Sequence, residues 1–158
     1  MNSDIGKKRM LSVTYMEKGM TNVLKWEVLT LDPDELLIVK ILSTNSENIQ
    51  GIRLSVEKDA LMNIGIESVR TYWIWENNGI NREYVFRANK RTNVSIYNVC
   101  RTPSSDMLPY GEVLSQMDYS GMIAENKDND TLVYHCNDLL YSHDFDSLVF
   151  EIKRQSSI

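Results

Sequence analysis

The sequence predicts a mainly β protein: a single antiparallel β-sandwich or barrel of about eight or nine short strands with one to three short helices. Apolar and polar residues alternate with a period of two through most of the chain, and turn-forming residues separate the alternating runs. Strands do not alternate with long helical patterns, although an α+β arrangement is the alternative. With 158 residues, the chain fits one β-rich domain over 1–158, with a flexible N-terminus over 1–9.

The first half of the chain supplies most of the strand signals. Residues 10–17 and 22–31 alternate and are joined by a turn at Gly19. Residues 36–42 are short and rich in β-branched side chains, which indicates a buried strand. A half-exposed strand is expected over 52–57. Residues 58–64 contain good helix formers and predict a short helical turn.

Asn78-Gly79 is the dipeptide typical of two-residue hairpin turns, because it accepts positive φ angles at low cost. The sequence therefore predicts a hairpin between 69–76 and 81–87. This register places Trp73 opposite Tyr84 and predicts one apolar face for the core, with a mostly polar face in solvent. The predicted core stripe consists of Trp73, Trp75, Tyr84 and Phe86.

The second half continues the same pattern. Strands are expected over 94–100, 131–136 and 148–153, and one or two helical turns over 112–117. Prolines, serines and a glycine mark 101–111 as a surface loop, and such loops often carry binding residues.

The cysteines and the hydropathy pattern predict a cellular compartment. Cys100 and Cys136 lie in separate strand-like runs and form no Cys-x-x-Cys pair, so we expect free thiols in a reducing environment. The start of the chain has no signal-peptide pattern, and the most apolar run, 36–42, is too short to cross a bilayer. The expected location is the cytoplasm, or that of the host cell if the protein is viral.

Charge is distributed unevenly along the chain. Residues 82–101 hold five basic and one acidic side chain, whereas residues 102–158 hold three basic and ten acidic ones. Such a basic segment fits a polyanion site, head-to-tail self-association or simply a solvated face. The net charge of −5 opposes long-range attraction to nucleic acid.

Motifs for catalysis and cofactor binding are weak. The glycines are isolated, so no phosphate-binding loop is predicted, and no cofactor is expected. Both histidines lie within 135–146, together with a thiol and carboxylates. A metal-dependent enzyme centred on this segment is one alternative, although the spacing matches no zinc signature and His135 and Cys136 should point to opposite faces. Its candidate ligands are His135, Asp138, His143 and Asp144.

Without a recognisable catalytic constellation, the sequence favours a non-enzymatic protein-interaction module of the adaptor, inhibitor, immunity or viral accessory type. It would bind a protein partner, either another protein or a second copy of itself, through an exposed sheet face and the 101–111 loop. The predicted contacts are Arg70, Tyr72, Arg87, Lys90, Arg91, Arg101 and Tyr110. A self-associating structural protein such as a coat or matrix subunit, in contact with nucleic acid, is the other alternative.

Overall fold

The computed structural model describes residues 7–104 and 111–157, and here the chain forms an antiparallel sheet that curls into a nearly closed barrel. The mainly β class is confirmed, and the thirteen strands in these ranges exceed the expected eight or nine. The strands are β1 (Met10–Leu11), β2 (Val23–Leu31), β3 (Glu35–Thr44), β4 (Ile49–Val56), β5 (Met62–Ile64), β6 (Glu67–Val69), β7 (Thr71–Trp75), β8 (Tyr84–Ala88), β9 (Thr92–Arg101), β10 (Val113–Ser115), β11 (Gly121–Asp128), β12 (Thr131–Asn137) and β13 (Leu148–Ser156).

The barrel wall runs in the order β8-β3-β13-β12-β11-β2-β9. β4 extends one end of this wall by pairing with β9, and β5 extends the other end by pairing with β8. The two strands follow each other in the chain, so the chain connects the two ends of the wall. On their other edges β4 pairs with β7, and β5 pairs with β6. β1 and β10 are short additions to β2 and β9.

The core fills the barrel with side chains from alternate positions of the wall. In β3, Leu37, Val39 and Ile41 are buried, whereas the residues between them are only partly so. Burial of each such aliphatic side chain contributes roughly 1.5–3 kcal/mol. The alternation that predicted strands such as β4 and β13 therefore reflects the two sides of the barrel wall, and β3, predicted as a buried strand from its β-branched residues, has one half-buried side.

Three local predictions were wrong. Residues 10–17 form only the short β1 and then a helix, α1 (Val13–Met16), because the Ser12 hydroxyl accepts a hydrogen bond from the backbone N–H of Tyr15 and caps it. The helical turns expected within 58–64 and 112–117 are instead the short strands β5 and β10. Pairing with β8 and β9 overrides the helix propensity of these short segments.

The predicted hairpin was also wrong. β7 pairs with β4 and β8 pairs with β3, so Trp73 lies opposite Arg53 rather than Tyr84. Between them, Glu76–Asn78 forms a 3₁₀ turn, and the backbone N–H of Asn81 donates to the Ile41 carbonyl at 2.7 Å. The connection is therefore longer than a two-residue turn. The predicted core stripe does not exist. Tyr84 and Phe86 are buried, whereas Trp73 and Trp75 lie on the outside of the barrel.

The N-terminal segment contacts the barrel where the chain enters it. The indole Nε1 of Trp26 donates to the Lys8 carbonyl at 2.9 Å, and Arg9 forms an ion pair with Glu27 of β2. Lys8 and Arg9 belong to the stretch expected to be flexible, and residues 1–6 lie outside the described ranges. None of the helices in the described ranges has the length and apolar character needed to cross a membrane.

Candidate functional site

The outer surface of β9, β4 and β7 carries a row of aromatic and arginine side chains. Arg53 of β4 is the direct cross-strand neighbour of Tyr97 in β9 and Trp73 in β7. Its guanidinium carbon lies 5.3 Å from the Tyr97 ring centroid and 5.6 Å from that of Trp73. Both distances fall within the range of cation–π attraction.

The row continues along β7 to the end of β9. The rings of Trp73 and Trp75 are stacked, with centroids 6.3 Å apart and planes 4° from parallel. The guanidinium carbon of Arg101 lies 4.6 Å from the Trp75 ring centroid. We refer to Arg53, Trp73, Trp75, Tyr97 and Arg101 as the tryptophan–arginine face.

Gly51 makes this stacking possible. It pairs with Trp75 across β4 and β7, and the indole lies directly over the glycine. A Cβ atom at position 51 would lie 2.5 Å from Cε3 of Trp75 and 2.8 Å from the Ile74 carbonyl oxygen, which no real Cβ tolerates. A side chain here would displace the ring.

The face combines exposed apolar surface with unneutralised positive charge. Trp73 is 41% exposed, and Val113 of β10, which is 46% exposed, borders a shallow groove of about 370 Å³ with Trp75. Neither Arg53 nor Arg101 forms an ion pair with a carboxylate of residues 7–104 or 111–157. The ion pairs in those ranges join other residues.

The structure separates the residues that the sequence proposed as partner contacts. Arg101 belongs to the tryptophan–arginine face. Tyr72 points towards the barrel interior, with its ring 5.5 Å from that of Phe86. The others lie elsewhere: Arg70 and Arg87 are exposed near β6 and β8, Lys90 and Arg91 are ion-paired with Asp59 and Asp32 at 2.7 Å, and Tyr110 lies outside the described residues.

The segment 135–146 does not gather the side chains that were considered as metal ligands. His135 Nε2 lies 2.9 Å from Glu125 Oε1 on the exterior, while Cys136 is fully buried, as the predicted opposite facing requires. His143 Nε2 lies 2.9 Å from the Tyr141 hydroxyl, and Asp144 is exposed. Within the described part of the chain, no three histidine, cysteine or acidic side chains come together in a geometry that holds a metal.

Asp138, the fourth residue considered as a metal ligand, is instead buried and hydrogen-bonded to neighbouring side chains. It is 8% exposed, and its carboxylate accepts hydrogen bonds from the side chains of Ser46, Asn48 and Gln50 and from the Leu139 N–H at 2.7 Å. Burial alone would raise the pKa of Asp138, but these donors together outweigh it and the pKa is lowered. The ionised carboxylate therefore joins the β3–β4 connection to the end of β12.

Sequence reasoning missed most of the tryptophan–arginine face because it assigned both tryptophans to the core. The alternation within Thr71–Trp75 shows that Trp73 and Trp75 share a side, but not which side is inside. The basic residue Arg53 at the centre of a strand was the available signal for an outer surface. No family model, no curated protein and no solved structure matches this chain.

Proposed function

We propose that this protein is a non-enzymatic interaction module that binds an acidic segment of a protein partner on the tryptophan–arginine face. The observation that carries the proposal is the pair of arginines that lie against exposed or partly exposed indole rings and have no carboxylate partners in the described ranges. Tryptophan, tyrosine and arginine are the residues most enriched at the energetic centres of protein interfaces. Stacking holds each guanidinium in place and leaves its edge N–H donors available to carboxylates.

The same geometry argues against single-stranded nucleic acid as the partner. Nucleic-acid platforms present free ring faces on which bases stack. Here a guanidinium already contacts each indole, since Arg53 lies 5.6 Å from the Trp73 ring centroid and Arg101 lies 4.6 Å from that of Trp75. The net charge of −5 further disfavours a polyphosphate chain.

The test uses a displayed library of random seven-residue peptides selected on the folded protein. We expect the selected peptides to be rich in Asp and Glu, and to bind more weakly as the salt concentration rises. Trp73→Ala and Arg101→Ala should each weaken binding of a selected peptide by at least about tenfold, because truncating an interface hot spot costs about 2 kcal/mol or more.

Lys153→Ala is the matched control for charge, since Lys153 is exposed on β13, away from the face. It should leave the affinity unchanged. Equal losses in the Arg101 and Lys153 variants would mean that only net charge matters, and would contradict the proposal. So would tighter binding of an oligothymidylate than of any selected peptide.

A further inference from the structure

One edge of β7 faces no strand within residues 7–104 and 111–157. β7 ends the hydrogen-bonded order of the sheet, with β4 as its only strand partner in the described ranges. The Arg70 carbonyl accepts a hydrogen bond from the Val56 N–H at 2.9 Å, in continuation of the β4–β7 register. Because antiparallel positions alternate in direction, Tyr72 and Ile74 also bond towards β4. The backbone groups of Thr71, Trp73 and Trp75 consequently point to the open edge.

The first half of β8 has a second open edge. The Asn89 N–H donates to the Leu61 carbonyl at 3.0 Å, which continues the β5–β8 register through Asn63 and Arg87. By the same alternation, Val85 directs its N–H and C=O towards the β5 side of β8. The β5–β8 pairing stops at Arg87, so these groups have no strand opposite them in the described part of the sheet.

The two edges border one groove, which we call the seam. It has a volume of about 530 Å³, and its lining includes Tyr72 from β7, Tyr84 and Val85 from β8, and Ile66 from the β5–β6 turn. Ring contacts close its floor, since the Tyr72 and Tyr84 ring centroids are 6.2 Å apart. Ile66 is fully exposed at its rim.

One residue of this lining, Tyr84, has a buried hydroxyl without a hydrogen-bond partner in the described ranges. The residue as a whole is only 4% exposed. Burial raises the pKa of Tyr84, so the group stays an O–H donor at neutral pH. A buried donor without an acceptor costs roughly as much as a lost hydrogen bond, so an incoming carbonyl oxygen would be stabilising there.

Charged side chains lie in and beside the seam. Arg82 lines it together with Glu67 and Glu83, whereas Arg70 directly precedes β7 and Arg87 belongs to β8, and both are exposed. None of the three arginines forms an ion pair with a carboxylate in the described ranges, and three arginines against two glutamates leave a small positive balance around the seam. The rim therefore complements a segment with acidic side chains.

We infer that the seam binds an extended segment of the partner protein by strand addition between β7 and β8. This inference rests on the proposed function and specifies how the acidic segment binds. Backbone hydrogen bonds to both edges supply affinity, and side chains supply specificity at alternate positions. Inward-facing residues of the segment are apolar and pack on Tyr72 and Tyr84, and outward-facing residues are acidic, near Arg87 and the tryptophan–arginine face.

Amide hydrogen exchange followed by NMR tests the inference directly. In the free protein, the N–H groups of Thr71, Trp73 and Val85 should exchange faster than those of Ile74 and Phe86. A selected seven-residue peptide should slow the first three by at least about tenfold. Methylating the backbone nitrogens at alternate positions of that peptide should weaken its binding by about tenfold, because the edge bonds are lost.

A side-chain variant tests the orphan hydroxyl. Tyr84→Phe should weaken binding of the same peptide several-fold without loss of folding stability, because no hydrogen bond of the free protein is removed. Tyr141→Phe is the matched control, because Tyr141 stacks on Tyr15 of α1 and does not line the seam, and it should not change the affinity. Unchanged binding by Tyr84→Phe would show that the Tyr84 hydroxyl forms no hydrogen bond with the peptide.

The outcomes separate the two proposals. If binding depends on Arg101 but the three amides still exchange fast, strand addition is overturned and the proposed function stands. If the amides are protected but Trp73→Ala and Arg101→Ala bind normally, the seam stands and the tryptophan–arginine face does not. If no peptide is selected, both fail. Protection without any peptide, together with a dimer in light scattering, would mean that a second copy occupies the seam.

Discussion

Asp138 illustrates how a residue with catalytic chemistry can serve the fold. Its carboxylate collects donors from the β3–β4 connection, from β4 and from its own chain neighbour, including Gln50 Nε2 at 3.0 Å. The neighbouring contacts are typical of a turn after a strand: Asn137 Nδ2 donates to the Ser142 carbonyl, and the Leu139 N–H donates to the Asp138 carboxylate. The long-range donors are about ninety positions away and depend on the tertiary fold.

Asp138→Asn should destabilise the protein at neutral pH by about 1–3 kcal/mol, because the amide replaces a charged acceptor of several hydrogen bonds. The folded-state pKa of Asp138 is lowered, so its stabilisation is present above the ordinary carboxyl pKa of about 4 and is lost as pH falls through the folded value. Urea unfolding at several pH values should therefore show the difference between wild type and variant shrinking in acid.

Asp144→Asn is the control for this titration, since Asp144 is an exposed carboxylate in the same segment. Its effect should be within about 0.5 kcal/mol at neutral pH. A constant Asp138→Asn difference from neutral to acid pH would show that shape, rather than ionisation, explains the loss.

At the scale of elements, an ion pair between the half-exposed Arg9 and the buried Glu27 holds the N-terminal segment on β2. Glu27 is 1% exposed, and its carboxylate accepts from Arg9 Nε at 2.9 Å, from the Tyr134 hydroxyl at 2.8 Å and from the Val28 N–H at 3.0 Å. The hydrogen bond to Glu27 raises the pKa of Arg9, so the guanidinium stays charged. The segment before β1 is thus held by charge as well as by strand pairing.

Arg9→Ala should destabilise the protein by about 1–3 kcal/mol, because it leaves the Glu27 carboxylate buried without its counterion. The double variant Arg9→Ala with Glu27→Gln should lose less than the sum of the two single variants. Unfolding free energies of all four proteins provide the double-variant cycle. Additive losses would mean that Arg9 acts through packing and not through the ion pair.

The prediction of a hairpin between 69–76 and 81–87 was wrong because of how whole strands pair. Asn78 ends the 3₁₀ turn Glu76–Asn78 and Gly79 follows it with a φ of 126°, so the chain does turn here, but the connection is longer than a two-residue loop. Strand β4 then competes for β7 and offers a register of five cross-strand pairs. The local sequence determined that the chain turns there, whereas strands distant in sequence determined which strand pairs with β7.

For the molecule as a whole, the two cysteines report on the integrity of the barrel. Burial, aided by the charge of Asp138, raises the pKa of the Cys100 thiol to about 12, and burial also raises that of Cys136. Both thiols are buried and free. Their reactivity should therefore be governed by opening of the sheet.

We expect both cysteines to resist alkylation by iodoacetamide at pH 8 in the native state and to react together on unfolding in urea. Mass spectrometry across the transition should find unmodified and doubly modified protein, with little singly modified species. Cys136→Ser leaves Cys100 as a single reporter, and its labelling midpoint should match that of unfolding measured by circular dichroism. Rapid labelling of one cysteine in the native state would show that part of the barrel opens independently.

The sequence revealed the fold class and most long strands because a curved sheet with one solvent-exposed face makes apolar and polar residues alternate along each strand. It did not reveal which strands are neighbours, because β3 pairs with β13 and β2 pairs with β9 across long stretches of chain. Short elements such as β5 and β10 carry too few residues for a pattern. The candidate face shares this limit, since Tyr97, Arg53 and Trp73 meet only through strand order.

The bare backbone at Gly51 has an evolutionary consequence. A descendant with even a methyl group at position 51 could not keep the Trp75 indole over the backbone there, and it would also lose the packing of Arg101 against that ring. Positions 51 and 75 should therefore change as a unit, one small and the other broad. A lineage that no longer needs this surface would be recognised by the simultaneous loss of both.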